Sequence, residues 1–161
     1  MWHLKVVAAG GAAWLAVIAS VAAQPALDRA GNIEKAAAEI AAVQAKSGAD
    51  GAFAAIEACY RRELAGATSL TRELEACMAQ DIIMSKVSAA FYASLNPEVR
   101  RQAGGPEPEA VTRAMLERVI GAFARFKVPE DDARAFNQIV RTRGMEAYRA
   151  RFPQQVPAKG N

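Results

Sequence analysis

The feature that most constrains the fold of this chain is the position of its two cysteines, Cys59 and Cys77, on either side of a predicted turn. The turn is the segment Gly66-Ala67-Thr68, which separates two runs of helix-favouring residues. Each cysteine lies about nine residues from the turn, roughly 13 Å along its helix, so both stand at equal height in an antiparallel hairpin. A disulfide needs Cα atoms within about 7 Å, and equal height on neighbouring helices allows this. We predict a structural disulfide between Cys59 and Cys77, in an oxidising compartment.

The first 23 residues are predicted to be a signal peptide that is removed on export. A thin basic region is followed by an apolar stretch from Val6 to Ala19. Val21 and Ala23 then place small side chains before Gln24, in the pattern that signal peptidase cleaves. The alternative is an uncleaved N-terminal membrane anchor, because the apolar stretch is nearly long enough to span a bilayer. We therefore predict a periplasmic or secreted protein.

The remaining chain is predicted to be all-α, as a bundle of about five helices that includes the disulfide-linked hairpin. No run of residues alternates apolar and polar side chains as a strand would, and alanine, leucine, arginine and glutamate dominate. Asn32 is predicted to cap the first helix, and Asn96 a short helical turn. The predicted helices span about 33–46, 52–65, 69–95, 109–127 and 129–144, with shorter pieces at 97–103 and 145–151.

Glycine and proline residues divide the exported chain into two helical regions. Neither region is long enough to bury a large core alone, so we expect them to pack on each other. The predicted organisation is a signal peptide at 1–23, an N-terminal region at 24–103 with the disulfide hairpin, a Gly/Pro linker at 104–109, a C-terminal region at 110–152 packed on the first, and a flexible tail at 153–161.

Composition excludes several kinds of chemistry. The single histidine, His3, lies in the predicted signal peptide, so the exported chain has no imidazole for a catalytic triad, a proton relay or a metal site. A disulfide removes both cysteines from thiol chemistry as well. Catalysis would then require a pair of carboxylates, as in glycan cleavage, and no spacing singles out two acidic residues. We predict a protein that is not an enzyme and that uses no metal and no cofactor.

A seam on the third predicted helix contains the candidate polar site. Its positions follow alternating spacings of four and three, which face a neighbouring helix. They are Leu70, Leu74, Cys77, Asp81, Met84, Ser88, Phe91 and Leu95. A buried carboxylate must be paired or hydrogen-bonded, or have its pKa raised. We therefore expect Asp81 either to contact an arginine, a tyrosine hydroxyl such as that of Tyr60, or a helix N-terminus, or to lie at the solvated edge of the seam. The functional alternative is a buried polar site of Asp81, Tyr60 and Ser88.

The C-terminal stretch is basic and is a candidate surface for an anionic partner. It contains Arg141, Arg143, Arg149 and Arg151, against Glu146 as the one acidic residue. The alternative is a solvated face, since cations are favoured near helix C-termini. Nucleic acid is not expected, because the chain has an export signal and a net charge of only +3. Membrane contact is expected only through an uncleaved signal or through this basic surface.

These observations predict an exported helical protein with a non-catalytic interaction or structural role. It would bind another protein or a component of the cell envelope. Two alternatives remain. The first is a module that binds a small molecule or a lipid, or that acts like a chaperone. The second is a carboxylate-based enzyme that acts on glycans. An enclosed apolar cavity would favour the first alternative, and two carboxyl groups in one cleft would favour the second.

Overall fold

The computed structural model describes the backbone of residues 23–152 and the side chains of residues 28–152. The predictions for residues 1–22 and for the tail at 153–161 lie outside these described residues. The helical elements are α1 (Ala23–Leu64), α2 (Arg72–Ser94), α3 (Pro97–Gln102), α4 (Pro108–Arg125), α5 (Glu130–Ile139), a π-helical turn (Val140–Gly144) and α6 (Met145–Arg149). Residues 23–152 contain no strand, so the all-α prediction is confirmed. None of the helices described is both long enough and apolar enough to cross a membrane.

Helix α1 reverses direction at Gly48, whose φ of 72° and ψ of −173° are not helical. Gln80 of α2 donates a hydrogen bond to the carbonyl of Ala36, and its neighbour Asp81 accepts one from Tyr60. Ala36 and Tyr60, on opposite sides of Gly48, therefore lie at the same level of α2. An unbroken helix would hold Ala36 and Tyr60 roughly 36 Å apart. The predicted break between the first two helices is therefore confirmed. The two halves are named α1a (residues 23–47) and α1b (residues 49–64).

The first helix begins earlier than predicted. The backbone is already helical at Ala23, so Asn32 lies inside α1a and is not its N-cap. Its side-chain Nδ2 instead donates a hydrogen bond of 2.9 Å to the carbonyl of Arg72 on α2. The prediction was wrong because an asparagine can satisfy a backbone group of another helix, and local sequence does not distinguish this from capping.

Helix α2 is the centre of the bundle and packs against α1, α4 and the π-helical turn. It begins after Thr71, whose Oγ1 accepts a hydrogen bond from the backbone N–H of Leu74, slightly later than predicted. The predicted seam is buried from Leu74 to Ser88 but not at Phe91, which is 57% exposed. Periodicity indicates which face of a helix is covered, but not where the covering helices end.

The segment between α2 and α4 is held closely against the end of α2. Asn96 caps α3 as predicted, because its Oδ1 accepts a hydrogen bond from the N–H of Glu98 at 2.8 Å. The buried Arg100 donates to the carbonyl of Tyr92 at 3.3 Å and also pairs with Glu107. These contacts turn the chain back along α2 and place α4 beside it.

The helix predicted over 129–144 is α-helical only as far as Ile139, and its last five residues, Val140–Gly144, form a π-helical turn. Gly144 is buried, and a Cβ atom there would lie 3.0 Å from Cγ2 of Ile33 and 3.3 Å from Cδ1 of Ile83. The absence of a side chain therefore lets the π-helical turn approach α1 and α2 closely. The prediction treated Gly144 as a helix end, since sequence does not show that two other helices cross at this point.

Candidate functional site

The predicted disulfide between Cys59 and Cys77 is confirmed, with the Cα atoms 5.7 Å apart. It joins α1b to α2 as an antiparallel hairpin. Tyr60 follows Cys59 directly, and Asp81 lies one helical turn after Cys77. The disulfide thus holds the two elements that supply these side chains at a constant spacing.

The carboxylate of Asp81 is fully buried and accepts four hydrogen bonds. Oδ2 accepts from the hydroxyl of Tyr60 at 3.2 Å and from Nε of Arg118 at 2.8 Å. Oδ1 accepts from the hydroxyl of Ser85 at 3.1 Å and from Nη2 of Arg118 at 2.7 Å. A carboxylate offers about four acceptor sites, so this one is fully satisfied.

The structure brings together two of the three residues in the predicted polar site. Asp81 and Tyr60 are in direct contact, whereas Ser88 is buried about two turns further along α2, outside this set of hydrogen bonds. Ser85 was missed, although its position four residues after Asp81 on a helix was a usable signal. Arg118 was also missed, since nothing in the sequence distinguishes it from the other arginines.

Arg118 connects the buried carboxylate to the protein surface. Its side chain is 42% exposed, whereas that of Asp81 is 0% exposed. The hydrogen bonds to Asp81 raise the pKa of Arg118 above its ordinary value. Burial, followed by the charge of Asp81 and the hydrogen bond to it, raises the pKa of Tyr60. The phenol of Tyr60 and the guanidinium of Arg118 therefore keep their protons at neutral pH, and Nη1 of Arg118 has no hydrogen-bond acceptor among residues 28–152.

Arg118 lines an open groove of about 440 Å³ between α1b and α4. Apolar and small side chains share this groove with five charged ones. The lining residues are Glu57, Tyr60, Arg61, Leu64, Glu117, Arg118, Gly121, Ala122 and Arg125. We name this feature the α1b–α4 groove.

The other charged residues of the α1b–α4 groove are held less firmly than Arg118. Arg61 and Glu57 form an exposed ion pair at 3.8 Å on the same helix. Arg125 donates to the carbonyls of Leu64 and Ala67, both at 3.4 Å. Arg118 is therefore the groove cation whose orientation is determined by a buried partner.

A second open groove, of about 370 Å³, lies between α1a, α1b and α2. Cys59 contributes to its wall, beside Arg62, whose Nη2 is 3.8 Å from the sulfur atom. Gln80 also lines this groove and is occupied by its hydrogen bond to Ala36. Asn32, another lining residue, is likewise engaged by its hydrogen bond to the carbonyl of Arg72.

The four arginines of the predicted anionic-partner surface, Arg141, Arg143, Arg149 and Arg151, are all exposed. Arg143 is paired with Glu34 of α1a at 2.5 Å, so part of the surface charge is offset. Arg141 lies near Lys86 of α2, and burial together with the charge of Arg141 lowers the pKa of that lysine. A role for this surface in binding stays a prediction.

Within residues 28–152, no three histidine, cysteine, aspartate or glutamate side chains are grouped so that they could hold a metal ion. Comparisons of the chain with protein-family models, with curated proteins and with solved structures find no match.

Proposed function

We propose that this protein is exported and acts without catalysis, by binding another protein through the α1b–α4 groove. The disulfide indicates a compartment outside the reducing cytosol. The N-terminal sequence supports export to the periplasm or the exterior, with cleavage after Ala23. N-terminal sequencing of the exported protein is expected to begin at Gln24, and an intact Met1 in the membrane fraction would contradict cleavage.

The observation that supports this proposal most strongly is the state of Arg118. Two hydrogen bonds to the buried Asp81 fix its guanidinium, and its partly exposed side chain lines an open groove. A site held in one conformation before binding loses little conformational entropy when a partner arrives. The groove also offers the small and apolar surface of Gly121 and Ala122, against which a polypeptide segment could pack.

The charges of the α1b–α4 groove favour a polypeptide over a lipid. Glu57 and Glu117 alternate with the three arginines, so the lining is not uniformly positive as a surface for anionic lipid headgroups would be. The groove is also open along its length, whereas an acyl chain is best shielded from water in an enclosed cavity. A protein segment offers both carbonyl acceptors and N–H donors to such a mixed lining.

Gly121 provides a direct test, since a Cβ atom added there would meet no atom within 4 Å. The variant Gly121→Leu fills the groove while the fold is kept, and Gly31→Leu is its matched control on an open, exposed position of α1a. Both variants gain helix propensity. In co-purification from the envelope fraction, we expect one partner to be retained by the wild type and Gly31→Leu and lost by Gly121→Leu. Equal retention by both variants would contradict the proposal.

The second candidate function is a glycan-active enzyme, and one observation favours it. Glu57 and Glu117 line the same groove, and a pair of carboxylates is what glycan cleavage requires. If this function holds, the wild type releases soluble sugars from purified envelope glycans, and Glu57→Gln or Glu117→Gln abolishes the release. We expect no release from the wild type, because Glu57 is also paired with Arg61.

A further inference from the structure

We propose that Arg118 recognises an acidic side chain, aspartate or glutamate, in the partner segment that occupies the α1b–α4 groove. This inference rests on the proposed function and adds the chemistry of the segment that binds. Arginine has five N–H donors, and Asp81 occupies only one at Nε and one at Nη2. Neither donor on Nη1 makes a hydrogen bond within the described residues, and the Arg118 side chain, 42% exposed, lines the groove near Glu57.

The hydrogen bonds beneath Arg118 make it a positioned donor. A free arginine side chain loses considerable rotamer entropy when it binds a ligand. Here the two hydrogen bonds that Arg118 donates to Asp81 fix the plane of the guanidinium, and the hydroxyls of Tyr60 and Ser85 donate to the carboxylate and fix it in turn. The rotamer entropy of Arg118 is thus lost when the protein folds, and little more is lost when a partner binds.

The balance of charge indicates one acidic side chain and not a polyanion. The groove lining has three arginines and two glutamates, so its charges nearly balance even before the buried Asp81 is counted. Asp81 lies below and offsets much of the charge of Arg118. Recognition therefore depends on the directed N–H donors, and a single carboxylate accepting from Nη1 fits them. Glu57 and Glu117 would repel a second or third acidic group.

A random heptapeptide library displayed on phage is a suitable probe, because the partner is unidentified. We expect the wild-type protein to enrich peptides with an aspartate or glutamate at one constant position, and Gly121→Leu to enrich none of them. Replacing that acid by its amide in an enriched synthetic peptide is expected to weaken binding on the order of tenfold, as for one charged hydrogen bond. The weakening should change little between low and moderate salt.

The variant that tests Arg118 must keep the buried site neutral. Arg118→Gln alone would leave the carboxylate of Asp81 buried without a counter-ion, so the test uses the double variant Asp81→Asn/Arg118→Gln. In this variant the acid and amide peptides are expected to bind equally. Arg113→Gln, an exposed arginine on the same helix outside the groove, is the control and should keep the preference for acid.

The outcomes separate the inference from the proposed function. If no peptide is enriched by the wild type over Gly121→Leu, the proposed function fails and the inference fails with it. Enriched peptides without a preference for acid, or a preference that persists in the double variant, overturn the role of Arg118 and leave the groove intact as a binding site. Binding that requires several acids and disappears with salt also overturns it. Binding of phosphatidylglycerol vesicles that only Gly121→Leu abolishes would replace the protein partner with a lipid.

Discussion

The guanidinium of Arg118 on α4 donates two hydrogen bonds, of 2.8 Å and 2.7 Å, to the buried carboxylate of Asp81 on α2. One member of the pair is inaccessible to water and the other reaches the surface. The pair therefore joins the hairpin of α1b and α2 to α4, and it is also part of the wall of the α1b–α4 groove. Arg118 therefore belongs both to the contact that holds α4 on the hairpin and to the proposed binding site.

The two members of this pair are expected to differ in their contribution to stability. Asp81→Ala leaves Arg118 free to turn toward water and should lower the free energy of unfolding by about 2 kcal/mol, through the lost hydrogen bonds. Arg118→Ala leaves a buried carboxylate without a counter-ion and should cost more, about 3–5 kcal/mol. Urea unfolding measures both, with Ser88→Ala as a buried control outside the hydrogen bonds. A larger loss for Asp81→Ala would contradict this account.

The disulfide is expected to contribute substantially to stability. It closes a loop with a sequence separation of 18, and in the chain-entropy model such a loop is stabilised by about 3 kcal/mol. The double variant Cys59→Ser/Cys77→Ser should show this loss in urea unfolding, and the reduced wild type should behave alike. Mass spectrometry of the alkylated, unreduced protein should detect no free thiol. Two alkylated cysteines would refute the disulfide in the exported protein.

The buried phenol predicts a dependence of stability on alkaline pH. Burial and the neighbouring Asp81 raise the pKa of Tyr60 above its ordinary value of 10.0. A group whose pKa is raised by folding contributes its full stability below the pKa of the unfolded chain and loses it as the pH rises. Wild-type stability should thus fall above about pH 10, since the unfolded chain ionises this tyrosine first. The difference in the free energy of unfolding between the wild type and Tyr60→Phe should become smaller from pH 7 to pH 11. A constant difference would refute the effect of Tyr60 ionisation on stability.

Two glycines are expected to respond in opposite directions to alanine. At Gly144 the new methyl group would lie 3.0 Å from Ile33, which is buried and has a stiff, branched side chain. Gly144→Ala should therefore lower the free energy of unfolding by about 1–3 kcal/mol. Gly121→Ala enters open space on a helix and should raise it by up to about 1 kcal/mol. Thermal unfolding of the two variants provides the comparison, and equal effects would show that the π-helical turn is not closely packed.

Much of the fold was predictable because it depends on residues close together in the chain. Gly48 breaks the first helix, Asn96 caps the short α3, and Cys59 and Cys77 stand at equal height because a turn lies midway between them. Each of these features needs only a local conformational preference and the rise of a helix per residue.

The errors have a common origin in contacts between distant segments. Asn32 matches the pattern of a helix cap, but its side chain donates to the carbonyl of Arg72. Gly144 matches the pattern of a helix end, but it is packed near Ile33 and Ile83 in a π-helical turn. Phe91 continued the periodic seam but lies beyond the helices that cover it. Local sequence indicates which contacts a side chain can make, but not which residue from a distant segment packs against it.

The sequence alone indicated that the chain forms helices, that a disulfide links two of them, and that Asp81 would need a donor if its seam were buried. It could not determine which donor, because Arg118 is separated from Asp81 by 37 positions and meets it only after α4 has packed on α2. That packing is the sum of many weak apolar contacts along both helices, which no single residue pattern specifies. The tertiary structure therefore decided that Arg118 is the arginine held by Asp81, and that its N–H donors belong to the α1b–α4 groove.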